Sequence, residues 1–258
     1  MKINKKILQT LKGVGYIGVI ALWVVLIAAS QNKQQDFVCK ELVVNIDHHT
    51  GLFFIQEDEV FEILNHETSN GILNEKIRTL PLNTMERRLN ANPFIKNAQI
   101  FAQPNGRLVV DIKQRKPLIR VINKNNVSYY LDMNGNPMPI SYNFTPRVPV
   151  VNGFIYQNQY KHERDSLIQL EIYELGQFIH ESDFWSAFIQ QIYVNENREF
   201  ELIPRLGNQY IIFGNIESME EKFTKLYIFY REGLKTGSWD KYKSINLKYK
   251  NQIICSKI

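Results

Sequence analysis

Residues 13–30 form an 18-residue run without one charged side chain. As an α-helix rising 1.5 Å per residue, such a run is about 27 Å long, close to the hydrocarbon thickness of a bilayer. Lys2, Lys5, Lys6 and Lys12 precede the run, and Lys33 alone stands close behind it. By the positive-inside rule this predicts a membrane-spanning helix with a cytoplasmic N-terminus. Ala28-Ala29-Ser30 offers small residues for signal cleavage, so a removed signal peptide is the competing reading, although a signal's apolar region runs only about 7–15 residues. Cys39 lies too far from the run, and lacks small residues before it, to be a lipid attachment site. Both readings place residues 31–258 outside the cytoplasm, in a periplasm or its equivalent. The expected organisation is a cytoplasmic tail (1–12), a single membrane span (13–30), a linker (31–36) and two domains (37–117 and 118–258).

This topology changes the meaning of the charge. The chain has 31 basic and 26 acidic residues, a net of +5, but four of the lysines lie in the tail and residues 31–258 are nearly neutral. A basic footprint for nucleic acid is therefore not expected. The two cysteines, Cys39 and Cys255, cannot form a disulfide framework; in an oxidising compartment they are either bonded to each other or two buried free thiols. No Cys-x-x-Cys or grouped histidines suggest a metal site.

In the exported part, Leu42–Ile46 alternates as a strand with Leu42, Val44 and Ile46 on one face. Residues 56–65 carry Val60, Ile63 and Leu64 at helical spacing, with Glu57, Asp58 and Glu59 in the first turn, where the helix dipole favours acids. A second helix is predicted over 82–92, capped by Asn83 with Glu86 three residues on and ended by Pro93. Alternation over 95–103 and 107–114 around Pro104-Asn105-Gly106 predicts a hairpin. Strand, helix, helix, strand, strand is a small α+β unit whose sheet keeps one face or edge open to another chain.

From Gln114-Arg-Lys-Pro117 onward the pattern is a mixed β domain with flanking helices. Strands are predicted at 118–122 and 128–131. Residues 136–140 hold two prolines, which suits an edge, and 148–151 closes this meander. A helix over 164–178 is read with Leu167, Leu170 and Leu175 as its apolar face, and a helical turn with 184–187. Strands return at 190–194, 199–203 and 209–213. Ser218 with Glu221 caps a helix striped by Phe223, Leu226 and Phe229/Tyr230 and ended by Gly233. The last element is read as one strand over 242–254, with Ile245, Leu247 and Tyr249 alternating.

In this order the chain resembles the FtsQ/DivIB family of bacterial cell-division proteins. The resemblance rests on Asn92-Pro-Phe-Ile95, the hairpin with Gln114-Arg-Lys-Pro117, Tyr129-Tyr-Leu-Asp132 with Gly135, and Val148-Pro-Val-Val-Asn-Gly153. It continues through Glu201-Leu-Ile-Pro204, Ile212-Phe-Gly214, the helix around Glu221-Lys222 and Lys225-Leu226, and Ile245-Asn-Leu-Lys-Tyr249. It implies a short tail, one membrane helix, a POTRA domain and a β domain, acting as a scaffold at the division septum that supports septal peptidoglycan synthesis. It further implies FtsB/FtsL-like partners at the last strand and an FtsK-like partner at the POTRA domain. A terminal strand at a sheet edge offers unpaired N–H and C=O groups to an added strand. The expected partner-binding residues are Ile245, Leu247, Lys248, Tyr249, Lys250, Asn251 and Gln252. Lys248 stands where the family has arginine, which loses bidentate carboxylate recognition.

Other candidates have plainer explanations. Lys241-Tyr-Lys243 and Lys248-Tyr-Lys250 alternate cations with aromatics as single-strand nucleic-acid binders do, but lysines also protect an exposed edge from aggregation. His48 and His49 are neighbours, and on a strand neighbours point to opposite faces. Glu163, Asp165, Glu171 and Glu174 fall on the polar side of a helix. There is no Gly-x-Ser-x-Gly and no glycine-rich phosphate loop. An enzyme, a cofactor, a metal or a small-molecule ligand is not expected. The alternatives are an exported POTRA-type assembly factor, or a secreted enzyme or ligand-binding protein released by signal cleavage.

Overall fold

The computed structural model describes residues 19–25, 37–48, 51–66, 71–156, 163–233 and 241–258, with backbone alone for 163–166. Most of the expected span at 13–30, the tail, the linker, His49 and the side chains of Glu163 and Asp165 lie outside the described residues. Residues 19–25 are helical. Among the described residues no helix is long and apolar enough to cross a membrane. The chain divides into two compact units: residues up to Gly51 with Ile55–Gln114, and Leu52–Phe54 with Arg115–Ile258.

The first unit contains β1 (Glu41–Ile46), α1 (Glu57–Asn65), a 3-10 turn (Ile77–Thr79), α2 (Leu82–Ala91), β2 (Ile95–Ala102) and β3 (Arg107–Gln114). The sheet order is β1-β3-β2, with β1 parallel and β2 antiparallel to β3. A parallel pair needs a long crossover, and the two helices supply it. Alternation sends Leu108, Val110 and Ile112 of β3 and Ala98 and Ile100 of β2 into a core with Val60, Leu64, Met85 and Leu89 from the helices. The hairpin turn depends on Gly106: its φ is +84°, and a Cβ there would lie 2.8 Å from the Val38 carbonyl oxygen.

The expected capping box on α2 is not formed. The helix starts at Leu82, preceded by Pro81, so Asn83 is already inside it and makes no cap. Glu86 is used elsewhere: its Oε1 accepts from the Ile100 N–H at 2.6 Å. Asn90 works beside it, accepting from the Ala98 N–H at 2.9 Å and donating to the Ala98 carbonyl at 3.1 Å. Two side chains of α2 thus bond the backbone of β2 as a neighbouring strand does.

The second unit contains β4 (Pro117–Ile122), β5 (Ser128–Asp132), β6 (Pro137–Pro139), β7 (Val150–Gly153), α3 (Glu163–His180), α4 (Asp183–Phe188), β8 (Ile189–Val194), β9 (Phe200–Pro204), β10 (Tyr210–Gly214), α5 (Met219–Ile228), a π turn (Phe229–Gly233), β11 (Tyr242–Asn246) and β12 (Ile254–Lys257). These strands form one nine-stranded sheet, ordered β12-β11-β10-β9-β8-β7-β4-β5-β6. The proline-flanked β6 is an edge, as its composition predicts. β7 does not close a meander: it lies parallel to both β4 and β8. Gly153 allows this close approach, because a Cβ on it would meet the Val194 carbonyl at 2.2 Å.

The motif residues that open this unit pin its first hairpin. Arg115 Nη2 reaches Asp132 Oδ2 at 2.8 Å, with both side chains largely buried. Asp132 Oδ1 accepts from the Asn134 and Asn136 N–H groups and so shapes the turn holding Gly135. The apolar face of α3 differs from expectation. Ile168, Ile172, Leu175 and Ile179 are buried, whereas Leu167 and Leu170 are exposed. Two apolar stripes run along this helix, and the one spaced i, i+4, i+7, i+11 follows a single face for three turns.

Candidate functional site: the C-terminal hairpin

The C-terminal end of the sheet is built from β10 outward. β10 and β11 are parallel, joined through α5. Phe223, Leu226 and Tyr230 carry the predicted stripe of α5 into the core. Ser218 precedes this helix, but at φ +51° its side chain makes no capping bond, in contrast to expectation. After β11 the chain turns back, and β12 pairs antiparallel along the outer side of β11.

The single strand predicted over 242–254 is therefore two strands. β11 lies inside the sheet and β12 forms its edge. The break falls at Asn251, whose φ is +60°; asparagine tolerates this left-handed backbone better than most residues. Asn251 was the available sequence signal, and alternation read past it conceals the turn.

The expected partner residues consequently occupy different settings. Ile245 and Leu247 are fully buried. Ile245 sits opposite Ile211 on one side and Cys255 on the other, and the Leu247 N–H donates to the Ile212 carbonyl. Lys248, Tyr249, Lys250, Asn251 and Gln252 belong to the connection before β12 and are exposed. Lys248 Nζ pairs with Glu199 Oε1 at 2.5 Å, and its side chain passes 3.0 Å from where a Cβ on Gly214 would sit. Gly214, from the family-like Ile212-Phe-Gly214, leaves room for that lysine.

Two lysines of α5, both within the motif residues quoted for the resemblance, bond the connections at this end of the sheet: Lys225 the turn before β12 and Lys222 the turn after β10. Lys225 Nζ donates to the Tyr249 carbonyl at 2.8 Å. Lys222 is buried; it donates to the Asn215 carbonyl at 2.8 Å and to Asn215 Oδ1 at 3.1 Å, and its ammonium lies 5.0 Å from the centre of the Phe213 ring. Desolvation lowers its pKa from the ordinary lysine value. Between these lysines and the turn is a shallow cleft of about 230 Å³, bordered by Asn215, Glu221, Lys222, Lys225, Lys248 and Tyr249.

β12 itself presents Ile254, Ser256 and Lys257 to solvent, while Cys255 packs inward against the core. Cys39 and Cys255 are both free thiols, and burial raises the pKa of each. The last 18 residues hold five lysines and no acid. Elsewhere, Glu171 is half-buried on α3 and its carboxyl pKa is raised, first by desolvation and then by Glu174. No nucleophile motif accompanies it. Among the described residues no group of three His, Cys, Asp or Glu side chains is arranged to hold a metal.

The comparisons agree with this architecture. Residues 37–113 match the POTRA-like domain, which corresponds to the β-α-α-β-β unit. Residues 116–256 match the family described as FtsQ/DivIB, C-terminal related, and this match runs from the start of β4 through most of β12. Comparison with curated proteins finds no match. The sequence motifs, the element order and a family match over more than half of the chain lead to one conclusion: the protein belongs to the FtsQ/DivIB family.

Proposed function

We propose that the chain is a non-enzymatic scaffold of the bacterial cell-division complex. It is anchored in the cell membrane by residues 13–30, holds its two units outside the cytoplasm at the septum, and supports septal peptidoglycan synthesis by binding other division proteins. Family membership supports the division-associated role. The four lysines before the apolar run support the anchor and its orientation, as do the exposed apolar side chains of Ile20, Leu22 and Trp23 in the helical stretch 19–25.

The observation that carries the binding mode is the position of β12. It is a terminal strand at the edge of a nine-stranded sheet, and its outer side offers backbone donors and acceptors to an FtsB/FtsL-like strand. In this reading Lys248, Tyr249, Lys250, Asn251 and Gln252 flank the added strand, and Ile245 and Leu247 support it from within. An FtsK-like partner is assigned to the POTRA-like unit.

Proline substitutions test the edge. Along an antiparallel strand, successive N–H groups point to opposite edges. Of Cys255→Pro and Ser256→Pro, one removes an N–H from the outer side and the other breaks the β11 ladder. The expected result is that both variants lose partner capture in a pull-down, and that one of them keeps the thermal stability of the parent. Full capture by both rejects the edge. Depletion of the protein should produce filaments, and normal division on depletion rejects the scaffold.

A further inference from the structure

The inner side of α3, with Ile168, Ile172, Leu175 and Ile179, packs into the core of its unit. At about 100° per residue, Leu167, Leu170, Glu171, Glu174 and Phe178 fall together on another side, about 130° away. Leu167 and Leu170 are 57 % and 51 % exposed, and Phe178 ends this side, its ring stacked 4.6 Å from that of Phe223 on α5. Each leucine is followed one turn later by a glutamate: Glu171 after Leu167, and Glu174 after Leu170. Both glutamates are half-buried. The bases around them do not cancel this charge. Arg198, before β9, favours the Glu171 carboxylate but is the smallest of the three influences on it, after burial and Glu174. Arg120 of β4, the strand that α3 packs on, alternates with the core residues Ile119 and Val121, and so points to the opposite face, where it bonds Ser128. The Lys116 carbonyl accepts from Met133, whose own carbonyl accepts from Tyr173 on the other flank of α3 from Glu171. His180 ends α3, and α4 begins with another acid, Asp183. By sequence, Glu163, Arg164 and Asp165 add two acids and one base. The outer side of α3 is apolar and net negative.

We infer that this outer side of α3 is a second docking surface, and that its occupant is an amphipathic α-helix of a partner protein, with apolar residues three and four apart and lysine or arginine one turn from them. Leu167 and Leu170 form a short ridge that fits the groove of a second helix. Bases on that helix meet Glu171 and Glu174; acids in their place are repelled. A helix is favoured over a strand, because the backbone groups of α3 are bonded within the helix and offer no ladder. Charge excludes two other occupants. A second copy of α3 sets the same glutamates against each other, and an anionic lipid surface repels them. The surface rests on the scaffold reading for its class of partner and does not use the β12 edge.

Two synthetic helical peptides test this on the full chain in zwitterionic nanodiscs at low salt. Both carry leucine at the a and d positions of a heptad repeat, one of them a photoreactive analogue; the flanking e and g positions are lysine in one peptide and glutamate in the other. Mass spectrometry locates the crosslinks. The lysine peptide is expected to crosslink within 167–178, about tenfold more than the glutamate peptide. The double variant Glu171→Lys, Glu174→Lys should exchange that preference. Leu167→Ser with Leu170→Ser should reduce capture of the lysine peptide about tenfold while keeping the thermal stability of the parent; this variant decides if the charge-reversed one does not fold. Crosslinks only outside α3, equal capture of both peptides, an unchanged preference in the folded charge-reversed variant, or no capture overturns the inference. Crosslinks confined to β12 do so while leaving the scaffold reading intact.

Discussion

Burial acts most clearly on single residues where a proton is at stake. Tyr230 is 5 % exposed, and its hydroxyl accepts from Gln209 Nε2 at 3.1 Å. Desolvation, the largest cause, pushes its pKa from 10 up to about 12. Above pH 10 the unfolded chain releases this proton while the folded chain keeps it, so folding stability is complete below about pH 10 and falls as pH rises towards 12. The loss over that window is on the order of 2–3 kcal/mol. Urea unfolding at pH 9 and pH 11.5 should show the parent losing more stability than Tyr230→Phe by about that amount. Equal losses mean that the hydroxyl titrates in the folded state. Other buried groups, such as Lys222 and Tyr129, titrate in both proteins and cancel in the difference. A tyrosine at position 230 could be assigned to a helical stripe from the sequence. Its partner Gln209 could not, since that pairing joins the approach to β10 with the π turn after α5, 21 positions apart.

Elements show where periodicity is sufficient and where it is ambiguous. The core-facing positions of β1, β2 and β3 alternate regularly, so their phase is readable although Val43, Phe101 and Val109 lie on the other face, and their bounds fall within about a residue of those expected. α3 is different. Leucines at 167 and 170 and isoleucines at 168 and 172 define rival faces, and the choice is made by the sheet surface that receives them. Leu175 is fully buried and Leu167 is 57 % exposed. Leu175→Ala should therefore cost about 2–5 kcal/mol by cavity formation, and Leu167→Ala at most about 0.5 kcal/mol. Chemical denaturation measures both, and comparable costs assign the face wrongly. At the C-terminus, alternation continued through Lys248-Tyr-Lys250 and so concealed the turn. Alternation reports which way a side chain faces; it does not report where a chain reverses unless a residue such as Asn251 is weighed for its backbone. The displaced capping box of α2 has the same origin: Glu86 had a helix partner in the local sequence and a better one in β2, which only the tertiary fold brings near.

For the whole molecule, distribution of charge matters more than its total. Four lysines precede the apolar run and five lie in the last 18 residues, where there is no acid. The intervening sequence is consequently net acidic, although the complete chain is net basic. In the proposed topology the N-terminal group meets the anionic inner face of the membrane and prevents translocation of the tail. The C-terminal group borders an exposed strand edge, where lysines disfavour pairing with another copy of the same edge through like-charge repulsion. These roles separate experimentally. Replacing Lys2, Lys5, Lys6 and Lys12 with glutamine should leave the two folded units unchanged and raise the fraction of chains with the wrong orientation. Protease protection in spheroplasts then detects full-length chains whose large units are no longer accessible from outside. The parent should remain with the membrane after carbonate extraction and be digested from outside in nearly all copies. Recovery of a soluble exported form beginning at Gln31 removes the anchor, and an unaltered orientation in the glutamine variant removes the role of the lysines.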